Sequence, residues 1–427
     1  MGKYILIVGI SVSLAIRIFF ISQSKHTADI YLMYNMGVAF LAGYNPYLTL
    51  DFNSYPPLSI FLEVLTIQVS SFLHTSFVTV FKFWPNLADF ICAFIIYKFL
   101  IKTNVKPTKA SLWTVFFLLN PISIVISSAH GQIDSITALL VIVSLFLLTF
   151  SSKKSHIYLS ALILGIAITF KPNPVMLIPV FLMFKKVAIK QKIIYLMLAL
   201  TPLTVSMIPF VVSNPQQILV RLITYSGVGD ISYAAILRGI WYQINAQTNL
   251  PLNNELLNAS KLIFGAGVVS LTLIFAGSKH LAKPSLAIYL LFLSFYFGIG
   301  SQYLVWVIPL AVLQRDRSVF LYTLFGGVAL LGFYLFFGPD ILLGQLSSMA
   351  PFQTKYIYLY FLGNLMLWIF SLWWLIRIVK DFVKSSFPGF GLVRKRLIYF
   401  SSFLFILSFL PMIYLIIHLF ELYALES

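Results

Sequence analysis

The sequence predicts an all-α polytopic membrane protein, and three observations carry that assignment. Of 427 residues, 60% are hydrophobic and 10% charged, against about 25% charged in soluble globular domains. Mean hydropathy is +0.95, and the apolar residues form continuous runs rather than an alternation, as membrane helices do and β-barrel strands do not. Between the runs, lysine and arginine collect in every second loop, the bias that orients a multi-pass protein.

The expected spans are roughly 4–22, 83–101, 111–127, 135–150, 157–170, 174–184, 193–212, 257–276, 284–300, 302–314, 318–338, 356–376 and 397–419. The first run carries Arg17 and lacks a small-residue cleavage site, so it reads as a retained span and not a signal peptide. The runs 157–170 and 174–184 are short for a hydrocarbon layer of about 30 Å, which predicts tilting, a break or burial among other helices. Residues 1–427 read as a single transmembrane domain.

With Lys3 on the cytoplasmic side, the inside loops hold 21 of the 29 Lys and Arg residues. The formal charge of +17 therefore orients the chain in a bilayer and does not mark nucleic-acid binding. Residues 56–76 carry Glu63, Gln68 and several hydroxyls; read as a crossing helix they would invert every later loop. They are expected to form an interfacial helix, which makes 23–82 the first large outer loop. A second large outer loop is expected at 213–256. The lone cysteine, Cys92, falls in an apolar run and permits no intrachain disulfide.

Candidate chemistry gathers on the predicted outer face. Only 12 residues are acidic, and the first outer loop holds Asp29 and Asp51 together with Lys25 and His26. His130-Gly131-Gln132-Ile133-Asp134 lies between two spans; Lys171 sits at the apex of a Lys-Pro-Asn-Pro turn; Gln302, Tyr303 and Trp306 open another span from the same side. Bland readings stand beside each: Asp134 as an N-cap, Lys171 snorkelling to headgroups, Asp51 as a turn residue, tyrosines as an interfacial belt. No His/Cys/Asp/Glu group has metal-ligand spacing. Arg17 and Asp89 both fall roughly 8–9 Å below the outer surface at 1.5 Å per helical residue, where an unpaired charge is costly, so they are expected to form an ion pair, or Arg17 to pair with a bound phosphate.

Several motifs, in order, resemble the GT-C class of integral-membrane glycosyltransferases: A-D-I-Y-L-M-Y-N, G-Y-N-P-Y and S-Y-P-P-L-S-I-F-L-E in the first loop, then W-P-N-L-A-D-F, N-P-I-S-I-V-I-S-S-A-H-G-Q-I-D-S, L-G-I-A-I-T-F-K-P-N-P and G-S-Q-Y-L-V-W. They are similar to the catalytic subunits of GPI mannosyltransferase I and to bacterial polyprenyl-phosphate-mannose-dependent mannosyltransferases, over about 1–185 and 296–312. The resemblance implies a GT-C-like bundle of about 11–13 transmembrane helices. It also implies transfer of a hexose, mannose in those families, from a polyprenyl- or dolichyl-phosphate sugar to a glycan or glycolipid acceptor. Asp29 would be the general base of an inverting transfer. Lys171, with Arg221 and Arg238 as further cations, would meet the lipid phosphate; His130, Gln132, Asp134, Gln302 and Tyr303 would bind sugar, and Tyr31, Tyr34 or Trp306 would pack on its face. The Asp-x-Asp of the GPI enzymes is represented by Asp29 alone, since Thr27 stands two residues before it, which argues against a divalent metal; no other cofactor is implied. The membrane would be the plasma membrane of a prokaryote or the endoplasmic reticulum of a eukaryote. The alternative is a transporter or lipid-linked glycan flippase, which calls for a polar midplane and internal repeats.

Overall fold

The computed structural model describes all residues except 24–26, 50–54, 152, 184–187, 213, 225, 226, 228, 279, 344–353, 387, 388, 390 and 427. Lys25, His26 and Asp51 lie outside the described residues. The chain is an all-α polytopic membrane protein, with no strand among the described residues.

In chain order the helices are α1 Gly2–Ser22, α2 Ala28–Leu41, α3 Pro46–Thr49, α4 Pro57–Phe72, α5 Phe77–Lys102, α6 Pro107–Leu118 and α7 Pro121–Ile124. A π-helical turn, Val125–His130, continues α7. Then come α8 Asp134–Phe150, α9 Lys154–Phe170, α10 Ile178–Leu182, α11 Ile189–Val211, α12 Pro215–Thr224, α13 Ser232–Asn245, α14 Asn253–Phe275 and α15 Ala282–Phe295. A 3-10 turn, Ser301–Trp306, leads into α16 Val307–Gln314, followed by α17 Ser318–Phe337, α18 Pro339–Leu343, α19 Thr354–Ser386, α20 Leu392–Leu407 and α21 Leu410–Glu426.

Seven of the described helices are long and apolar enough to cross a membrane, and up to eight if the pair Pro107–Leu118 and Pro121–His130, bent by 42°, is one span. The other expected spans are helices too, but shorter: Asp134–Phe150, Lys154–Phe170, Asn173–Leu182, Ala282–Phe295 and Ser301–Gln314. At 1.5 Å per residue they reach about 15–26 Å. Burial explains how they stay short. Every residue of α16 from Val307 to Leu313 is buried, and α15 is buried from Pro284 to Ser294, so neighbouring helices replace lipid around them. The segment expected as an interfacial helix forms α4 and packs on α2, α5, α9 and α11. The following helix starts at Phe77, so Lys82 belongs to α5 and is buried, not part of the preceding loop.

One polar cluster ties the bundle together at depth. Arg17 Nη1 lies 2.7 Å from Asp89 Oδ2, so the two charges expected to pair are paired. The same guanidinium donates to Asn86 Oδ1 at 2.8 Å and Ser123 Oγ at 3.0 Å. Asp89 Oδ2 also accepts from Ser123 at 2.8 Å and Ser127 at 2.7 Å. A buried charge pair is tolerated when its remaining lone pairs and protons are satisfied, and here α5, α7 and the π-turn supply partners from Asn86, Ser123 and Ser127. The cluster clamps that turn, whose last residue is His130.

Candidate active site

The C-terminal ends of α1, α9 and α17 and the π-turn meet the N-terminal ends of α2, α8 and the Ser301–Trp306 turn at one end of the bundle. A cleft of about 290 Å³ opens there, lined among others by Asp29, Tyr55, His130, Asp230, Gln302 and Tyr303.

Asp29 stands in the first turn of α2, where Thr27 caps the helix by accepting from the Ile30 amide at 3.2 Å. Backbone N–H groups at a helix N-terminus favour a carboxylate there. His130 Nε2 lies 3.2 Å from Asp29 Oδ2, and the Gln132 side-chain amide donates to the same oxygen. Asp29 Oδ1 accepts no hydrogen bond among the described residues, and the side chain remains 41% exposed in the cleft. Burial acts to raise the Asp29 carboxyl, but the hydrogen bond and charge of His130, the charge of Lys171 and the Gln132 amide outweigh it and hold it below the ordinary carboxylate range.

The π-turn and Gly131 place these partners. The Gly131 and Gln132 amides both reach back to the Ile126 carbonyl, at 2.9 and 3.0 Å. Gly131 has φ +83°, and a Cβ there would come within 2.8 Å of Ile30 Cδ1 and Lys82 Cγ. Only glycine fits that conformation and that approach. A wider helical turn just before it rotates His130 inward, which is how π-turns often serve sites. His130 Nδ1 then meets the Tyr334 hydroxyl at 2.6 Å.

The other candidates divide. Gln302 and Tyr303 line the cleft. Lys171 ends α9 before Pro172, is buried, and its Nζ lies 2.7 Å from Asp134 Oδ2. The Tyr303, Tyr55 and Trp306 rings surround that ammonium at 4.7, 5.7 and 6.0 Å. Lys171 therefore does not snorkel, and Asp134 begins α8 without a side-chain capping bond; the pair replaces both bland readings. Arg238 pairs with Asp230 at 3.1 Å. Burial pushes the Asp230 carboxyl up, against the pull of Arg238. The side chain of Arg221 lies outside the described residues. Trp306 is buried, and Tyr31 and Tyr34 border a separate groove between α2 and α4; none of the three lines the cleft.

Sequence reasoning missed Tyr334, Asp230, Tyr55 and the cluster of Asn86, Ser123, Ser127 and Ser128. Tyr334 sits inside an apolar run where tyrosine reads as belt or packing. Among the described residues no three His, Cys, Asp or Glu side chains are grouped to hold a metal ion.

No protein-family model matches the chain. GPI mannosyltransferase 1 of Candida albicans (strain SC5314 / ATCC MYA-2876) is 26% identical over 226 residues, which cover 51% of this chain and 50% of that protein. The chain thus spans about half the length of the curated relative it matches.

Proposed function

We propose that the protein is an inverting GT-C glycosyltransferase that moves a hexose, mannose on the strength of the similarity, from a polyprenyl- or dolichyl-phosphate sugar to a hydroxyl of a glycan or glycolipid acceptor. The observation that carries this reading is Asp29: one carboxylate oxygen is held by His130 and Gln132, and the other is open to a cleft.

In the proposed reaction the acceptor oxygen attacks the anomeric carbon from the face opposite the phosphate. The bond from that carbon to the phosphate oxygen breaks, the lipid phosphate leaves as an anion, and the acceptor proton passes to Asp29 Oδ1. Inversion needs this one base, because a phosphate leaving group needs little protonation. Lys171, whose charge reaches Asp29, is the candidate to meet the leaving phosphate; in that role it exchanges Asp134 for phosphate. Gln302 and Tyr303, which line the cleft, are the candidates to contact the sugar.

An apolar groove of about 650 Å³ supports a lipid-linked donor. It runs beside α17 past Phe20, Pro121, Leu324, Gly327 and Leu331 to Tyr334, whose hydroxyl is on His130. From Phe320 to Tyr334 the helix rises about 21 Å, room for several isoprene units. On this reading, which the charge bias supports, the N-terminus is cytoplasmic and the cleft faces the outer or lumenal side.

The test is transfer in vitro with a panel of polyprenyl-phosphate sugars, scored by acceptor mass. Asp29→Asn is expected to abolish transfer with membrane insertion intact; near-normal activity removes Asp29 as the base.

A further inference from the structure

His130 has two ring nitrogens and both are engaged: Nδ1 with the Tyr334 hydroxyl at 2.6 Å, Nε2 with Asp29 Oδ2 at 3.2 Å. In neutral imidazole one nitrogen donates and the other accepts. If Nδ1 carried the proton, the Nε2 lone pair would face a carboxylate oxygen, a repulsive contact. If Nε2 carries it, both contacts are satisfied at once: the tyrosine O–H donates to Nδ1, and Nε2–H donates to Asp29. Tyr334 is fully buried, and its phenol is the donor available to Nδ1 among the described contacts.

We propose that Tyr334 is a positioning residue: its hydroxyl fixes His130 as the Nε2–H tautomer, so that the imidazole donates to Asp29 and orients the carboxylate towards the cleft. This rests on Asp29 being the base of the proposed reaction. It assigns the chain Tyr334–His130–Asp29 from three helical elements distant in sequence, α17, the π-turn and α2. The second N–H donor, the Gln132 side-chain amide, binds the same carboxylate oxygen, so among the described residues the two donors together leave Oδ1 open. Among the described residues, the other charged groups around these three are Lys82 of α5, packed on Gly131; Asp134 at the start of α8; Lys171 after α9; and Asp230 before α13, itself held by Arg238.

Tyr334→Phe keeps the ring that lines the apolar groove and removes only the donor. Without it the Nε2–H form loses the hydrogen bond that favours it, the Nδ1–H form gains population, and in that form Asp29 loses one of its two N–H donors. The expected result is a fall in kcat of roughly tenfold or more with KM for the lipid donor within about twofold. The comparison is made at neutral pH or above, where the tautomer of the ring matters. A purely packing role leaves kcat in place, so an unchanged kcat overturns the proposal. In His130→Gln, Tyr334→Phe is expected to add no further loss; an additive loss overturns it.

A second measurement does not depend on turnover. In 15N-histidine-labelled protein, with His130 identified by its absence in His130→Gln, the ring is expected to carry its proton on Nε2 in the wild type and to mix tautomers in Tyr334→Phe. A wild-type Nδ1–H signal overturns the proposal. If no polyprenyl-phosphate sugar is used by the wild type, the functional reading falls while this arm still decides the tautomer.

Discussion

Lys171 and Asp134 form a closed ion pair, Nζ to Oδ2 at 2.7 Å, with side chains 4% and 0% exposed. Two residues 37 positions apart in sequence thus pair their charges beside Tyr55 and Tyr303, which line the cleft. The loss of either partner leaves an uncompensated buried charge. Lys171→Ala is expected to destabilise the protein by about 3–5 kcal/mol, seen as a lowered melting temperature in detergent. Asp134→Leu combined with Lys171→Met should cost clearly less than the single substitution; equal costs would show that the pair is not the reason.

The lipid chain of the proposed donor offers a test of the groove beside α17. A Cβ added at Gly327 meets no atom within 4 Å, so a larger side chain there extends into open groove without disturbing its neighbours. Gly327→Leu is expected to raise KM at least several-fold for long-chain polyprenyl-phosphate sugars and to leave a short-chain analogue unaffected. Parallel effects on both donors would remove the groove as the tail site.

Activity against pH follows from Asp29. Its folded carboxyl lies below the ordinary value of 3.8. A depressed carboxyl is ionised above its folded value, and the stability it contributes is present above the unfolded value and lost as pH falls through the folded one. Transfer is therefore expected to persist down to about pH 4 as far as Asp29 is concerned. A pH-rate profile whose acid limb in the wild type lies well above that, and survives unchanged in Gln132→Leu, would contradict the assignment.

Glu63 predicts the opposite slope. It is fully buried in α4, and among the described residues neither carboxyl oxygen has a hydrogen-bond partner. Burial raises its carboxyl well above the usual range. The folded state then holds a proton that the unfolded chain releases, so stability is greatest below the unfolded value and declines as pH rises towards the folded one. Glu63→Gln should flatten that decline, measured by melting temperature between about pH 4 and 8. A slope unchanged by the substitution would assign it to other groups.

Much of this protein is readable along the chain. Apolar runs of membrane length locate the helices, because lipid demands that every backbone group be satisfied within its own segment. Asp29 stands out through the scarcity of acids, and His130, Gln302 and Tyr303 through their places at span ends. Arg17 and Asp89 are legible as a pair because hydrocarbon makes lone charges so costly that each implies a partner.

Tertiary structure alone decided which polar groups are spent and which are open. Lys171 and Asp134 satisfy each other, Arg238 answers Asp230, and His130 is shared between Asp29 and Tyr334. Tyr334 lies in a run whose apolar neighbours conceal it, and the short helices α15 and α16 read as spans until their surroundings are known. Local sequence states what a residue can donate, accept or bury. Its partner depends on which helix ends arrive at the same place, and that is fixed by packing between segments far apart in the chain.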